Sequence, residues 1–181
     1  MISLTDFQAN FPRGAKVPYL LTRLLEYQNE AGDFYSGYFE LTAYGADDVI
    51  AWFDGDKVAA SQFAPFGQGP DGSSYCYWLY GGRKLEQSPV VFLGSEGVDN
   101  TVLADTTEEF LSLLAVGYDE LGFPYRQVEE TENLLRFRAW LKHEFGISPP
   151  ENADALIAGA KVKHPDLEAW VEDWQKKHFA G

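Results

Sequence analysis

Residues 66–80 read Phe-Gly-Gln-Gly-Pro-Asp-Gly-Ser-Ser-Tyr-Cys-Tyr-Trp-Leu-Tyr. The fold turns on whether the glycines in this stretch cradle a dinucleotide or turn a hairpin. Gly67, Gly69 and Gly72 satisfy the spacing G-x-G-x-x-G. Phosphate binding at such a turn needs a following helix, whose free N–H groups face the pyrophosphate. The residues after Gly72 instead run S-S-Y-C-Y-W-L-Y, aromatic and alternating, which is the signature of a strand. Pro70 also removes an amide donor from the middle of the would-be cradle. A Gly/Pro/Asp turn between two antiparallel strands accounts for the same letters, and no cofactor is expected. In the second strand Tyr75, Tyr77 and Leu79 share one face, while Cys76, Trp78 and Tyr80 share the other.

The pattern continues outward from this hairpin. Ala59 to Phe66 reads as its first strand, and Pro89 to Leu93 and Thr101 to Ala104 read as two more, joined by G-S-E-G-V-D-N. Upstream, Pro18 suits the first turn of a helix through Tyr27 whose stripe is Leu20, Leu21, Leu24 and Leu25, with Gly32 as its stop. Asp33 to Tyr44 is aromatic with little helical period and is expected to be a strand. Asp47 and Asp48 lead a short helix over Val49 to Phe53, acids at its positive end. Downstream, Thr106-Thr-Glu-Glu109 is a capping box for a helix that Gly117 ends. Leu134, Leu135, Trp140, Leu141 and Phe145 mark a longer helix closed by Gly146, and Ser148-Pro-Pro150 is a break. Two helices follow, the last from Pro165 with Leu167, Trp170, Val171 and Trp174 at i, i+3, i+4, i+7. The expected class is α+β: a central, mostly antiparallel sheet with packed helices and a helical C-terminal extension. Residues 1–125 form the α+β domain in this reading, and residues 126–181 the extension packed on it.

Composition narrows the function. The 181 residues suffice for one full core. The longest apolar runs are far too short to span a bilayer, and the N-terminus carries no signal-peptide pattern. One cysteine, Cys76, excludes an internal disulfide framework and fits a reducing cytoplasm. Three scattered histidines leave little material for a zinc site, so no metal is expected. The formal charge is −14, and it is concentrated: residues 31–125 hold fifteen acids against Lys57, Arg83 and Lys84. Such a field repels a phosphate backbone and argues against nucleic-acid binding. It would attract a basic protein, although acids also serve plain solubility.

The catalytic motifs fail in their context. Gly94-Ser95-Glu96-Gly97 lacks the glycine of a nucleophile elbow, since Leu93 stands two positions before Ser95, and a strand follows the turn. His143, His164 and His178 all lie in the C-terminal helices, His164 before a proline and His178 at a basic helix end. Asp47/Asp48, Asp54/Asp56 and Glu108/Glu109 are paired carboxylates, but chance pairing is assured in so acidic a segment. Cys76 reads as a small buried hydrophobe. No catalytic residue is assigned.

The order of the pieces then carries a resemblance. Gly37-Tyr-Phe-Glu-Leu41 comes first, then Phe66-Gly67 with its Gly/Asp turn and the aromatic strand holding Trp78. Pro89-Val-Val-Phe-Leu-Gly-Ser-Glu-Gly97 follows, then a strand and the helix start E-E-F-L-S-L-L-A. Over residues 34–118 this succession resembles the SUKH superfamily, which includes the yeast cell-wall-synthesis regulators and many bacterial members. The segment A-W-L-K-H-E-F-G-I-S-P-P-E-N-A-D-A-L-I resembles tails of some bacterial relatives. Pro70 and the long helical tail depart from the minimal pattern. The resemblance implies an α+β domain without catalytic residues, and for many bacterial members an immunity role in which a delivered toxin is bound and neutralised. Joined to the charge, it points to a basic toxin domain as protein partner, met by loop acids Asp54, Asp56, Asp71, Glu96 and Asp99. A cytosolic regulatory or scaffold module is the alternative, and a hydrolase with a carboxylate site a further one.

Overall fold

A computed structural model describes residues 1–32, 34–123 and 126–179. The hairpin is there. Strand β2 (Phe63–Gln68) pairs antiparallel with β3 (Ser74–Trp78), Gln68 opposite Ser74, and the Gly69 amide bonds the Ser73 carbonyl across the turn. Gly72 takes φ +88°, a conformation open to glycine at no steric cost. β4 (Val90–Leu93) and β5 (Thr101–Ala104) continue the sheet, and β1 (Glu40–Leu41) edges it beside β2. All five strands run in sequence order and antiparallel, in a mixed α+β fold.

Alternation along the strands sends two sets of side chains to two layers of helix. On one face Phe66, Tyr75, Tyr77, Phe92 and Leu103 are buried against α2 (Tyr19–Ala31), α5 (Thr107–Leu114) and α6 (Glu132–Phe145). On the other, Phe63, Cys76, Trp78, Val91 and Val102 meet α3 (Gly45–Trp52), α7 (Ala153–Lys163) and α8 (Leu167–Phe179). Leu167 and Val171 of α8 are fully buried in this second layer, while Trp170 and Trp174 pack at its rim. The C-terminal helices therefore supply a face of the sheet with its cover. Removing either layer would expose large aromatic side chains, each of which carries about 2–3 kcal/mol of burial.

The caps follow the sequence. Thr106 accepts the Glu109 amide at the start of α5, while the Glu109 carboxylate reaches back to the Asp105 amide. Gly146 closes α6 in the left-handed conformation, and Gly32 ends α2.

Three elements differ from the sequence reading. The strand expected over Asp33 to Tyr44 shrinks to Glu40–Leu41, and Asp33 itself lies outside the described residues. Residues 34–39 are tied down by other means: Ser36 donates to the Leu114 carbonyl and Tyr35 to the Gln28 side chain. The buried Gln28 amide also takes both the N–H (2.7 Å) and the C=O (3.1 Å) of Leu41, closing the outer edge of β1 as another strand would. Second, α4 (Lys57–Ala60) replaces the first residues of the expected strand from Ala59, because Asp56 caps the Val58 and Ala59 amides. Third, α1 (Leu4–Gln8) is an additional short helix; Ser3 caps it through the Asp6 amide and Phe7 enters the core.

Candidate functional site

Both hairpin turns, 69–73 and 94–100, lie at one end of the sheet, since β3 and β4 pair antiparallel with Ser74 opposite Leu93. Two further segments reach the same end. Residues 34–40 arrive beside it through Glu40, which pairs with Gln68. Residues 118–123 follow α5 and meet both neighbours: the Tyr38 amide donates to the Asp119 carbonyl, and Ser73 Oγ to Glu120 Oε1 at 2.5 Å. The two turns are joined by Ser95 Oγ donating to Asp71 Oδ2 at 3.0 Å. These four segments carry Glu40, Asp71, Glu96, Asp99, Asp119 and Glu120 and no lysine or arginine.

Local chemistry fixes each part. Asp71 accepts the Ser73 amide at 2.9 Å, an Asx turn that shapes the hairpin. Gly69 has no room for a side chain, since a Cβ there would strike the Glu120 carboxylate and the Ser73 hydroxyl. Asp99 adopts φ +59°, where a short polar side chain is tolerated, and Asn100 locks the turn by accepting the Gly94 amide and donating to the Gly97 carbonyl.

The carboxyls titrate unequally. Burial, opposed by the Ser73 hydroxyl and aided by the neighbouring Asp71, raises Glu120 to about 7. At Asp71 burial acts upward, but hydrogen bonds from Ser73, Ser95 and Glu120 outweigh it and hold that carboxyl below its ordinary value. Near neutral pH the pair is thus poised between one and two negative charges.

Of the five acids singled out in sequence, Asp71, Glu96 and Asp99 come together here. Asp54 and Asp56 do not; they lie on the turn between α3 and α4, against α8. Asp56 caps α4 and accepts the Trp174 indole N–H at 3.0 Å, and that indole is the main cause of its lowered pKa. Asp54, at φ +48°, lies 3.2 Å from His178 Nε2. Glu40, Asp119 and Glu120 were missed. No local pattern marks them, because only the pairing of β1 and the path after α5 bring them to this end.

The remaining candidates have structural partners. His164 bridges Tyr80 Oη and Asp105 Oδ1, both at 2.7 Å, at the opposite end of the sheet. Lys163 reinforces it at 2.6 Å, and these two partners hold the Asp105 carboxyl below its ordinary range. His143 contacts Glu144. None of these histidine partners is Ser95 or Cys76, and burial pushes the Cys76 thiol far up. Among the described residues no group of His, Cys, Asp or Glu is arranged to hold a metal ion, and no helix is long and apolar enough to cross a membrane. No family model, curated protein or solved structure matches the chain.

Proposed function

We propose that this chain is a non-enzymatic protein-binding domain that neutralises a basic toxin domain by direct contact in the cytoplasm. The observation that carries the reading is the end of the sheet where four segments, none of which holds a lysine or arginine, bring six carboxyl groups together, with Arg126 at the margin over Tyr118. A cationic partner is steered toward such a surface, with on-rates raised by roughly 10- to 1000-fold at low salt. The turns are held by side-chain bonds, so little ordering is left to oppose association. The resemblance to the SUKH superfamily supports the immunity role and equally allows a regulatory scaffold.

The test is affinity capture from the native cells with the wild-type chain and with Asp71→Asn/Glu96→Gln/Asp99→Asn, at low and moderate salt. The reading expects a basic protein retained by the wild type, released by salt, lost by the triple variant, and inhibited when the wild-type chain is added back. A captured partner that is acidic, or whose activity is unchanged by the chain, contradicts it.

One observation favours a second reading as a carboxylate hydrolase: Glu120 near 7 beside a depressed Asp71 is the division of an acid from a base. That reading expects hydrolysis of a panel of chromogenic glycosides and esters, abolished by Asp71→Asn.

A further inference from the structure

The acidic end carries an apolar feature that solubility does not explain. Phe34 and Tyr38 stand 56% and 45% exposed, their rings 5.7 Å apart and nearly perpendicular. They sit among the acids, because the Tyr38 amide is bonded to Asp119 and Gly37 packs on the Tyr118 and Asp119 carbonyls with no room for a Cβ. Phe34 adopts φ +62°, a left-handed conformation in which a bulky aromatic residue is a rare outlier. Held strain of this kind concentrates at binding positions. The neighbouring Tyr118 already takes the Arg126 guanidinium over its ring, 4.5 Å from the centroid.

Resting on the protein-binding reading, we infer that Phe34 and Tyr38 form the anchor of the docking surface, and that its occupant is an arginine-bearing segment of a basic partner. Exposed aromatic faces attract a guanidinium through the ring quadrupole, and the carboxylates of Glu40 and Asp119, on the same two segments, supply the opposite charge. An aromatic centre within a polar rim is also the usual anatomy of an interface hot spot. Charge complementarity selects the occupant: a purely apolar or acidic partner would cover Glu40 and Asp119 without bringing a counter-charge.

The probe is a synthetic arginine-rich peptide, with a lysine-rich peptide of equal length beside it, titrated into the full chain and followed by amide NMR shifts and calorimetry. The arginine peptide is expected to shift resonances of residues 34–40 and 118–123 and to bind roughly 3- to 10-fold tighter than the lysine peptide. Phe34→Gly is the key variant, since glycine fits the positive φ. Its melting temperature should hold or rise while affinity falls roughly 5- to 10-fold with the salt dependence kept. Leu135→Ala, an exposed apolar position elsewhere, should change nothing. Unchanged affinity in Phe34→Gly overturns the anchor. If the Asp71/Glu96/Asp99 triple variant still abolishes binding in that case, the acidic reading stands without it. Binding that is lost in Phe34→Gly but indifferent to the triple variant supports the anchor and overturns the acidic reading. A wild-type chain that sediments as a dimer and becomes monomeric in Phe34→Gly makes a second copy the occupant and overturns the inference.

Discussion

Replacing Glu120 by glutamine isolates the cost of the charge held at the acidic end. The glutamine carbonyl keeps the bond from Ser73 Oγ, and its amide can donate toward Asp71, so shape and hydrogen bonding are conserved. What is removed is ionisation. The Glu120 carboxyl rises from an ordinary 4.5 to about 7 on folding. The native state therefore holds the proton more tightly than the unfolded chain, and stability falls as pH rises from about 4.5 through 7. The full shift corresponds to about 3 kcal/mol. Partial solvent exposure screens the charge, which reduces the expected loss to about 1–2 kcal/mol. Asp71 acts in the opposite sense, but its contribution is lost only as pH falls from the ordinary 3.8 through its depressed value, below this window. Tyr75, which also faces Glu120, is raised well above 10 and does not titrate in this window. Urea unfolding of wild type and Glu120→Gln at closely spaced pH values reads the difference. The curves should coincide within about 0.5 kcal/mol near pH 5 and separate by about 1–2 kcal/mol near pH 8, the variant being the more stable. In thermal terms that is a rise of roughly 2–8 °C for a chain of this size. A separation that stays constant from pH 5 to 8, or opens in favour of the wild type, refutes the reasoning.

The same cluster should respond to Gly69→Ala, which pushes Ser73 and Glu120 apart; a loss of about 1–2 kcal/mol is expected, together with a flatter pH profile between about 5 and 8, both read by the same unfolding series. Leu167→Ala removes a fully buried side chain from α8 and should cost about 3 kcal/mol. Thiol labelling checks the consequence, since Cys76 shares the buried cluster of Leu167 and Val171 and should react many-fold faster in the variant than in the well-protected wild type. His164→Ala deletes the bridge between Tyr80 and Asp105 and should cost about 2 kcal/mol, with amide exchange accelerating first in α7 and α8.

The hairpin was legible because its signals are local. Gly72, Pro70 and the alternation of Tyr75, Cys76, Tyr77 and Trp78 specify a turn and a two-faced strand within fifteen residues. The caps at Thr106 and Gly146 and the apolar spacing of α8 were legible for the same reason. Where the reading failed, the deciding partner was distant. Aromatic content over 34–44 suggests a ladder, but the Tyr38 and Phe39 amides donate to the Asp119 and Ser36 carbonyls instead of to a neighbouring strand. At Ala59, one capping carboxylate on Asp56 outweighed the strand pattern that follows it. The site divides likewise. Asp71, Glu96 and Asp99 were visible as loop acids, but their convergence with Glu120 depends on a 47-residue contact between Ser73 and Glu120 that no motif encodes.

The claim that charge at this end of the sheet, and not net charge alone, recruits a basic partner is tested most directly by moving the same neutralisation elsewhere. Asp71→Asn/Glu96→Gln/Asp99→Asn is compared with Glu86→Gln/Glu108→Gln/Asp166→Asn, exposed acids at the opposite end of the sheet, for affinity to the captured basic protein at two salt concentrations. The account predicts a loss of roughly 10-fold or more at low salt for the first triple, with a flattened salt dependence, and under about 3-fold for the second. Equal losses in the two triples would contradict it and leave the acidity as a property of the whole surface.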